Sequence, residues 1–135
     1  MSSPFSQLSI PSSGINTYHT WLDALSDNVA NISTARPTDQ PAFQERYVIA
    51  EAKDYGDGIG SGVGVSEIRY GDPKGRLVYE PSNPLADKEG MVRYPDMNVS
   101  DQMTHLMVAQ RAYQLNVSTF ERARDSYQKM LEIGK

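Results

Sequence analysis

Ile15, Tyr18, Leu22, Leu25, Val29 and Ile32 advance by three and four residues in alternation, the step that keeps one face of an α-helix apolar. Near the other end, Met103, Leu106, Tyr113, Val117, Phe120, Tyr127 and Leu131 follow the same step. Gln110 and Arg124 stand where two more apolar residues would complete that second stripe. The pattern predicts a first helix over about 14–34, capped by Ser12 or Ser13 and stopped by Pro37, with 1–11 as a flexible lead. It predicts a second helix over about 99–133, capped by Asn98 or alternatively Ser100 and ending before Gly134. Asp101 falls in its first turn, where negative charge meets the positive end of the helix dipole. At 1.5 Å per residue that helix is about 50 Å long. One apolar stripe does not offset the entropy of ordering an isolated helix, so burial against another helix or a neighbouring chain is expected.

The segment between the helices reads differently. Residues 43–52 are rich in aromatic and β-branched side chains and roughly alternate, with Phe43, Tyr47 and Ile49 on one side of a strand. The run 54–64 holds five glycines and is expected to be a mobile loop. Strands at 63–70 and 77–80 are expected to join as a hairpin across Gly71, Asp72, Pro73, Lys74 and Gly75, and 92–94 adds a short extended piece. The expected fold is therefore α+β, with long N- and C-terminal helices paired as an antiparallel coiled coil around a small β-rich central segment. Its divisions are 1–35 for the N-terminal helix, 36–97 for the central loops and β-hairpin, and 98–135 for the C-terminal helix.

Composition narrows the function classes. The chain of 135 residues is 39% apolar and suits one domain. A net charge of -4 offers no cationic excess to neutralise phosphates, so nucleic acid is not an expected partner. Cysteine is absent, which removes disulfides, thiolate metal sites and cysteine nucleophiles. The first basic residue is Arg36 and no apolar run approaches the roughly 20 residues of a bilayer span, so neither a cleaved secretory signal nor membrane insertion is expected.

Candidate chemistry is sparse, and no catalytic, cofactor-binding or metal-binding residues are expected. The histidines are His19 and His105, and a Ser-His-Asp arrangement using His105 and Asp101 lacks the motif context that exposes a nucleophile. The glycine run matches neither dinucleotide-binding nor phosphate-loop spacing, and Asp54 and Asp57 lack the remaining ligands of a calcium loop. Asn31, Asn98 and Asn116 begin glycosylation sequons that matter only in a secretory pathway. Tyr18, Trp21, Tyr113, Phe120 and Tyr127 sit at helical spacing and read as packing residues before they read as an aromatic box. Charges on the second helix form a solvated face, except Arg124, whose place in the stripe calls for a carboxylate partner.

Closing the first helix, Ser26-Asp27-Asn28-Val29-Ala30-Asn31-Ile32-Ser33-Thr34 resembles the N-N-x-A-N-x-x-T signature of the bacterial flagellar rod and hook family, carried here by Asn28, Ala30, Asn31 and Thr34. The resemblance continues through Arg76-Leu77-Val78-Tyr79-Glu80-Pro81, Asn83-Pro84, Ala86-Asp87, Glu89-Gly90, Val92-Arg93-Tyr94-Pro95 and Asn98-Val99, then Gln110-Arg111-Ala112-Tyr113 and Asn116-Val117. It departs at Phe43-Gln44-Glu45-Arg46, where the family often carries a basic pair. The resemblance implies a non-enzymatic axial subunit of the basal-body rod in the periplasm, a hollow drive shaft that transmits motor torque. It further implies export without a cleaved signal through the flagellar type III apparatus. The implied partners are other copies of the chain and other rod proteins, proximal and distal, including those at the junction with the basal-body ring. Asn28 and Asn31 would satisfy backbone groups at the helix end or bridge adjacent chains, and the two apolar stripes would form the assembly seam. A soluble helical adaptor and a small hydrolase using His105 remain as alternatives.

Overall fold

The computed structural model describes residues 4–54 and 61–134. The elements run α1 (Pro4–Asn31), β1 (Arg46–Ala52), β2 (Val63–Tyr70), β3 (Arg76–Tyr79), β4 (Met91–Tyr94) and α2 (Val99–Ile133). The fold is α+β, with two long helices and two two-stranded sheets, β1 with β2 and β3 with β4. Most of the glycine run expected to be a mobile loop, 55–60, lies outside the described residues.

α1 starts well before the expected Gly14 and carries Pro11 inside it. Pro4 occupies the first helical position, where a missing N–H costs nothing, and only Pro11 removes an intrahelical bond. Ser13, expected as a cap, is interior. Its hydroxyl donates to the Ile10 carbonyl at 2.6 Å and accepts the Val63 N–H at 3.1 Å, bracing helix against strand. The helix ends at Asn31, before Pro37 can act. Asn31 Nδ2 donates back to the Asp27 carbonyl at 2.9 Å, and the Thr34 N–H closes a turn onto the Asn31 carbonyl at 3.0 Å.

α2 has the expected limits. Asn98 Oδ1 accepts the Ser100 N–H at 2.8 Å and the Asp101 N–H at 3.3 Å, while its carbonyl takes the Gln102 N–H at 3.1 Å, so Asn98 and not Ser100 is the cap.

The expected hairpin of 63–70 with 77–80 does not form. β2 pairs with β1, and β3 pairs antiparallel with β4 in the register Arg76 to Tyr94, Leu77 to Arg93, Val78 to Val92 and Tyr79 to Met91. The turn-forming run 71–75 is held instead by the chain that precedes β1. Gly71 N–H donates to the Glu45 carbonyl at 2.8 Å, Gln44 Nε2 to the Gly71 carbonyl at 2.7 Å, and Ala42 N–H to the Pro73 carbonyl at 2.8 Å. Gly75, at φ 56°, then turns the chain into β3, with no room for a Cβ between the Tyr94 carbonyl and Ala42. An isolated antiparallel bridge joins Arg36 to Arg93 beside β4.

Contacts divide the chain into two compact units. Unit 1 comprises Met1–Leu22, Val48–Glu67 and Met107–Lys135, and unit 2 comprises Asp23–Tyr47 and Ile68–Leu106. The buried side chains of unit 2 include Ala24, Leu25, Ala42, Val92 and Pro95 together with two amides, Asn28 and Gln102. Those of unit 1 include Thr17 and Ala109. Small and polar residues thus carry much of the described interior, while many large apolar side chains are only half-buried or exposed.

Candidate assembly site

On α1 the predicted stripe faces inward. Leu25 is 2% exposed, and Ile15, Tyr18, Leu22 and Val29 are half-buried, as is Ile32 in the turn that follows. The most enclosed positions include Gly14, Thr17, Ala24 and Asn28, which hydropathy alone does not single out. Gly14 has a physical reason to be glycine. A Cβ there would overlap the side chain of Asn116 on α2, so the two helices of unit 1 meet at van der Waals distance. Further along, the rings of His19 and Tyr113 lie 6.4 Å apart.

On α2 the covered face is rotated slightly from the predicted one. Gln102, Leu106, Ala109, Tyr113, Asn116, Phe120, Ala123 and Tyr127 are buried or half-buried and advance by four and three in alternation. Val117 flanks this face and is half-buried. Met103 and Leu131 lie outside it, 45% and 54% exposed. Gln110 and Arg124, the two gaps in the predicted stripe, are on the exposed side because Ala109 and Ala123 take the inward positions. Arg124 is therefore no buried guanidinium, and its Nη2 pairs with the neighbouring Asp125 at 2.9 Å in solvent. Met107, Val108 and Leu115 are likewise exposed, so α2 carries apolar groups on an outward side as well, while Met130, the next step of the inward series, is also exposed.

The family motif closes a polar clip in unit 2. Asn28 Oδ1 accepts the Arg46 N–H at 2.9 Å, and its Nδ2 donates to the Arg46 carbonyl at 3.1 Å and to Gln102 Oε1 at 3.0 Å. Gln102 Nε2 donates to Glu45 Oε1 at 2.5 Å, and Glu45 Oε2 accepts the Tyr47 hydroxyl at 2.6 Å. Arg46 also forms an ion pair with Asp27. That hydrogen bond to Glu45, reinforced by burial and by the negative charges of Glu45 and Asp96, raises the Tyr47 pKa to about 12. Thr34 donates its hydroxyl to Asn31 Oδ1 at 3.2 Å, and Ala30 is exposed. Asn28 and Asn31 thus satisfy backbone groups within their own chain.

The remaining chemistry is thin. His105 lines an open cleft of about 530 Å³ with Glu45, Tyr47, Asp96 and Asp101, and no serine, threonine or cysteine stands on its wall. Tyr18 and Trp21 line a smaller apolar cleft of about 250 Å³ with Val48, Ala50 and Val63, and Tyr113, Phe120 and Tyr127 are not on that wall. Among the described residues no group of three or more His, Asp or Glu side chains is placed to hold a metal, and no helix is long and apolar enough to cross a membrane.

Within unit 2 a helix-end asparagine of α1 thus clips Arg46 to Gln102 of α2, and comparison with known proteins places the sequence around it in a family. Residues 88–133, which include all of α2, match the family described as flagellar basal body rod FlgEFG protein C-terminal. The chain is 33% identical over 127 residues to the flagellar basal-body rod protein FlgC of Yersinia enterocolitica, covering 93% of this chain and 94% of that one. It is 29% identical over 147 residues to the protein of the same name from Bacillus subtilis, covering 97% and 98%. The corresponding protein of Borreliella burgdorferi is 29% identical over 146 residues, covering 96% of each chain. Similarity of this level, running through the Asn28 clip, the β3–β4 hairpin and α2 alike, means that the chain belongs to the FlgC family of flagellar basal-body rod proteins.

Proposed function

We propose that the chain is a non-enzymatic building block of the flagellar rod, in which α1 and α2 pair antiparallel and polymerise with other copies and with other rod proteins into the hollow shaft that transmits motor torque. The observation that carries this reading is the direction of contacts in unit 1. Going forward along α1 from Gly14 to His19, the partner on α2 moves backward from Asn116 to Tyr113. Segments 1–35 and 98–135 then form the rod core, and 36–97 supplies the outer part. The subunit reaches the periplasm through the flagellar type III apparatus without losing a leader. Repeated contacts between unlike faces of neighbouring copies, related by a rotation that does not close, generate an open helical array instead of a ring.

The seam of this assembly is Ile15, Tyr18, Leu22, Leu25, Val29 and Ile32 against Leu106, Tyr113, Val117, Phe120 and Tyr127, with Met103 and Leu131 turned outward to neighbours. Replacing Leu25 or Val117 by aspartate places an unpaired carboxylate in it. The expected result for Leu25→Asp or Val117→Asp is loss of the subunit from purified basal bodies and loss of swimming. Basal bodies with a normal rod in either variant would overturn the reading.

A further inference from the structure

Asn28 and Gln102 are 1% and 2% exposed, and each stands on the inward step of its helix. An apolar seam tolerates a slip by one heptad, because leucine meets leucine or alanine either way. A buried amide pair does not, since any other register leaves desolvated donors and acceptors without partners. The hydrogen bonds of this pair also run in one direction. Arg46 N–H fills Asn28 Oδ1, so the amide end of Asn28 must face α2 and needs an acceptor there. Glu45 is acceptor-only when ionised, so it takes the Gln102 amide group and turns Gln102 Oε1 toward Asn28. The order Glu45, Gln102, Asn28, Arg46 is self-consistent in one orientation only. Asn116, the other amide on the inward step of α2, differs: it donates to the Ala112 carbonyl of its own helix at 2.8 Å and carries no such instruction.

We infer that the Asn28–Gln102 layer is the register lock of the helix pair: it selects one alignment of α1 with α2 against heptad-shifted pairings, within a chain or between crowded copies. The inference rests on the antiparallel pairing proposed above, and the test separates the two. The chain has no cysteine, so introduced thiols report without background. Full-length protein carrying His19→Cys and Tyr113→Cys reports the native alignment, because those rings lie 6.4 Å apart, and His19→Cys with Phe120→Cys reports a one-heptad slip. Both are treated with a short bis-maleimide and resolved by denaturing gel. In the parent background the 19/113 pair is expected to crosslink efficiently and the 19/120 pair only in trace yield. With Gln102→Met, which keeps length and helix propensity but removes both hydrogen bonds, the 19/120 product is expected to rise about tenfold, the change that about 1.4 kcal/mol of lost discrimination produces. An unchanged 19/120 yield, with 19/113 intact, overturns the register lock and leaves the antiparallel pairing standing. Absence of 19/113 crosslinking in the parent overturns the pairing itself. Should Gln102→Met lose its circular dichroism signal, Gln102→Asn serves in its place, since its shorter amide cannot span Asn28 and Glu45. The same rise is expected, and no rise overturns the inference.

Discussion

Asn28 does with one side chain what a short stretch of sheet does with backbone, pairing with both the N–H and the carbonyl of Arg46 while reaching Gln102. Asn28→Ala leaves the half-buried Arg46 N–H and carbonyl and the Gln102 oxygen without their partner, and the expected loss is about 2–3 kcal/mol, read by urea denaturation of the purified chain. A second residue-scale outcome concerns Asp87 in the β3–β4 loop. The Met91 N–H first, then the Thr38 hydroxyl and the Glu89 N–H, hold its carboxyl below the ordinary value, against an opposing effect of burial. A carboxyl lowered on folding contributes stability above its unfolded pKa, about 4, and that contribution fades as pH falls through the lower folded value. Stability measured from pH 6 downward is therefore expected to fall more steeply through the range below about pH 4 in the parent than in Asp87→Asn. Gly75 marks the limit of tolerance. Gly75→Ala puts a methyl group on the Tyr94 carbonyl at a positive φ, and the expected outcome is disruption of the β3–β4 hairpin, seen as a lowered thermal midpoint.

At the scale of elements, α2 was legible to the residue because its signals are local: an asparagine cap, an acid in the first turn, a glycine after the end. Asn98→Ala is expected to cost about 1 kcal/mol in thermal unfolding. The limits of α1 were less legible. The stretch 1–11 reads as a flexible lead although α1 begins at Pro4 and tolerates the one hydrogen bond lost at Pro11, and Asn31 at the helix end makes a side-chain bond that no periodicity encodes. Strand partners were misread for a different reason. The run 71–75 has every mark of a tight hairpin, yet its backbone groups are taken by residues 42–45, which are distant in sequence. The inward face of α2 was displaced by part of a turn because Gln102, Ala109 and Ala123 carry little hydropathy, although their spacing with Leu106, Tyr113 and Phe120 contains the signal.

For the whole molecule, the resemblance carried by the residues from Asn28 to Val117 pointed to the flagellar family, and relatives covering nearly the full chain agree. Composition could exclude nucleic acid as an expected partner but could not indicate a rod. The apolar groups left on the outward side of α2 separate the lone chain from the assembled one. If they are covered only by neighbours, raising the protein concentration should protect the amides of α2 from hydrogen exchange, and concentration-independent exchange would contradict that. The same outward side is built partly from thioethers, Met103 and Met107, in a protein with no thiol to react first. Mild peroxide should convert them to sulfoxides ahead of the half-buried Met91, a shift visible by peptide mass spectrometry, and so make a hydrophobic exterior hydrophilic. Under the assembly proposed above, chemical ageing of stored subunits would then erode polymerisation while leaving the individual fold untouched.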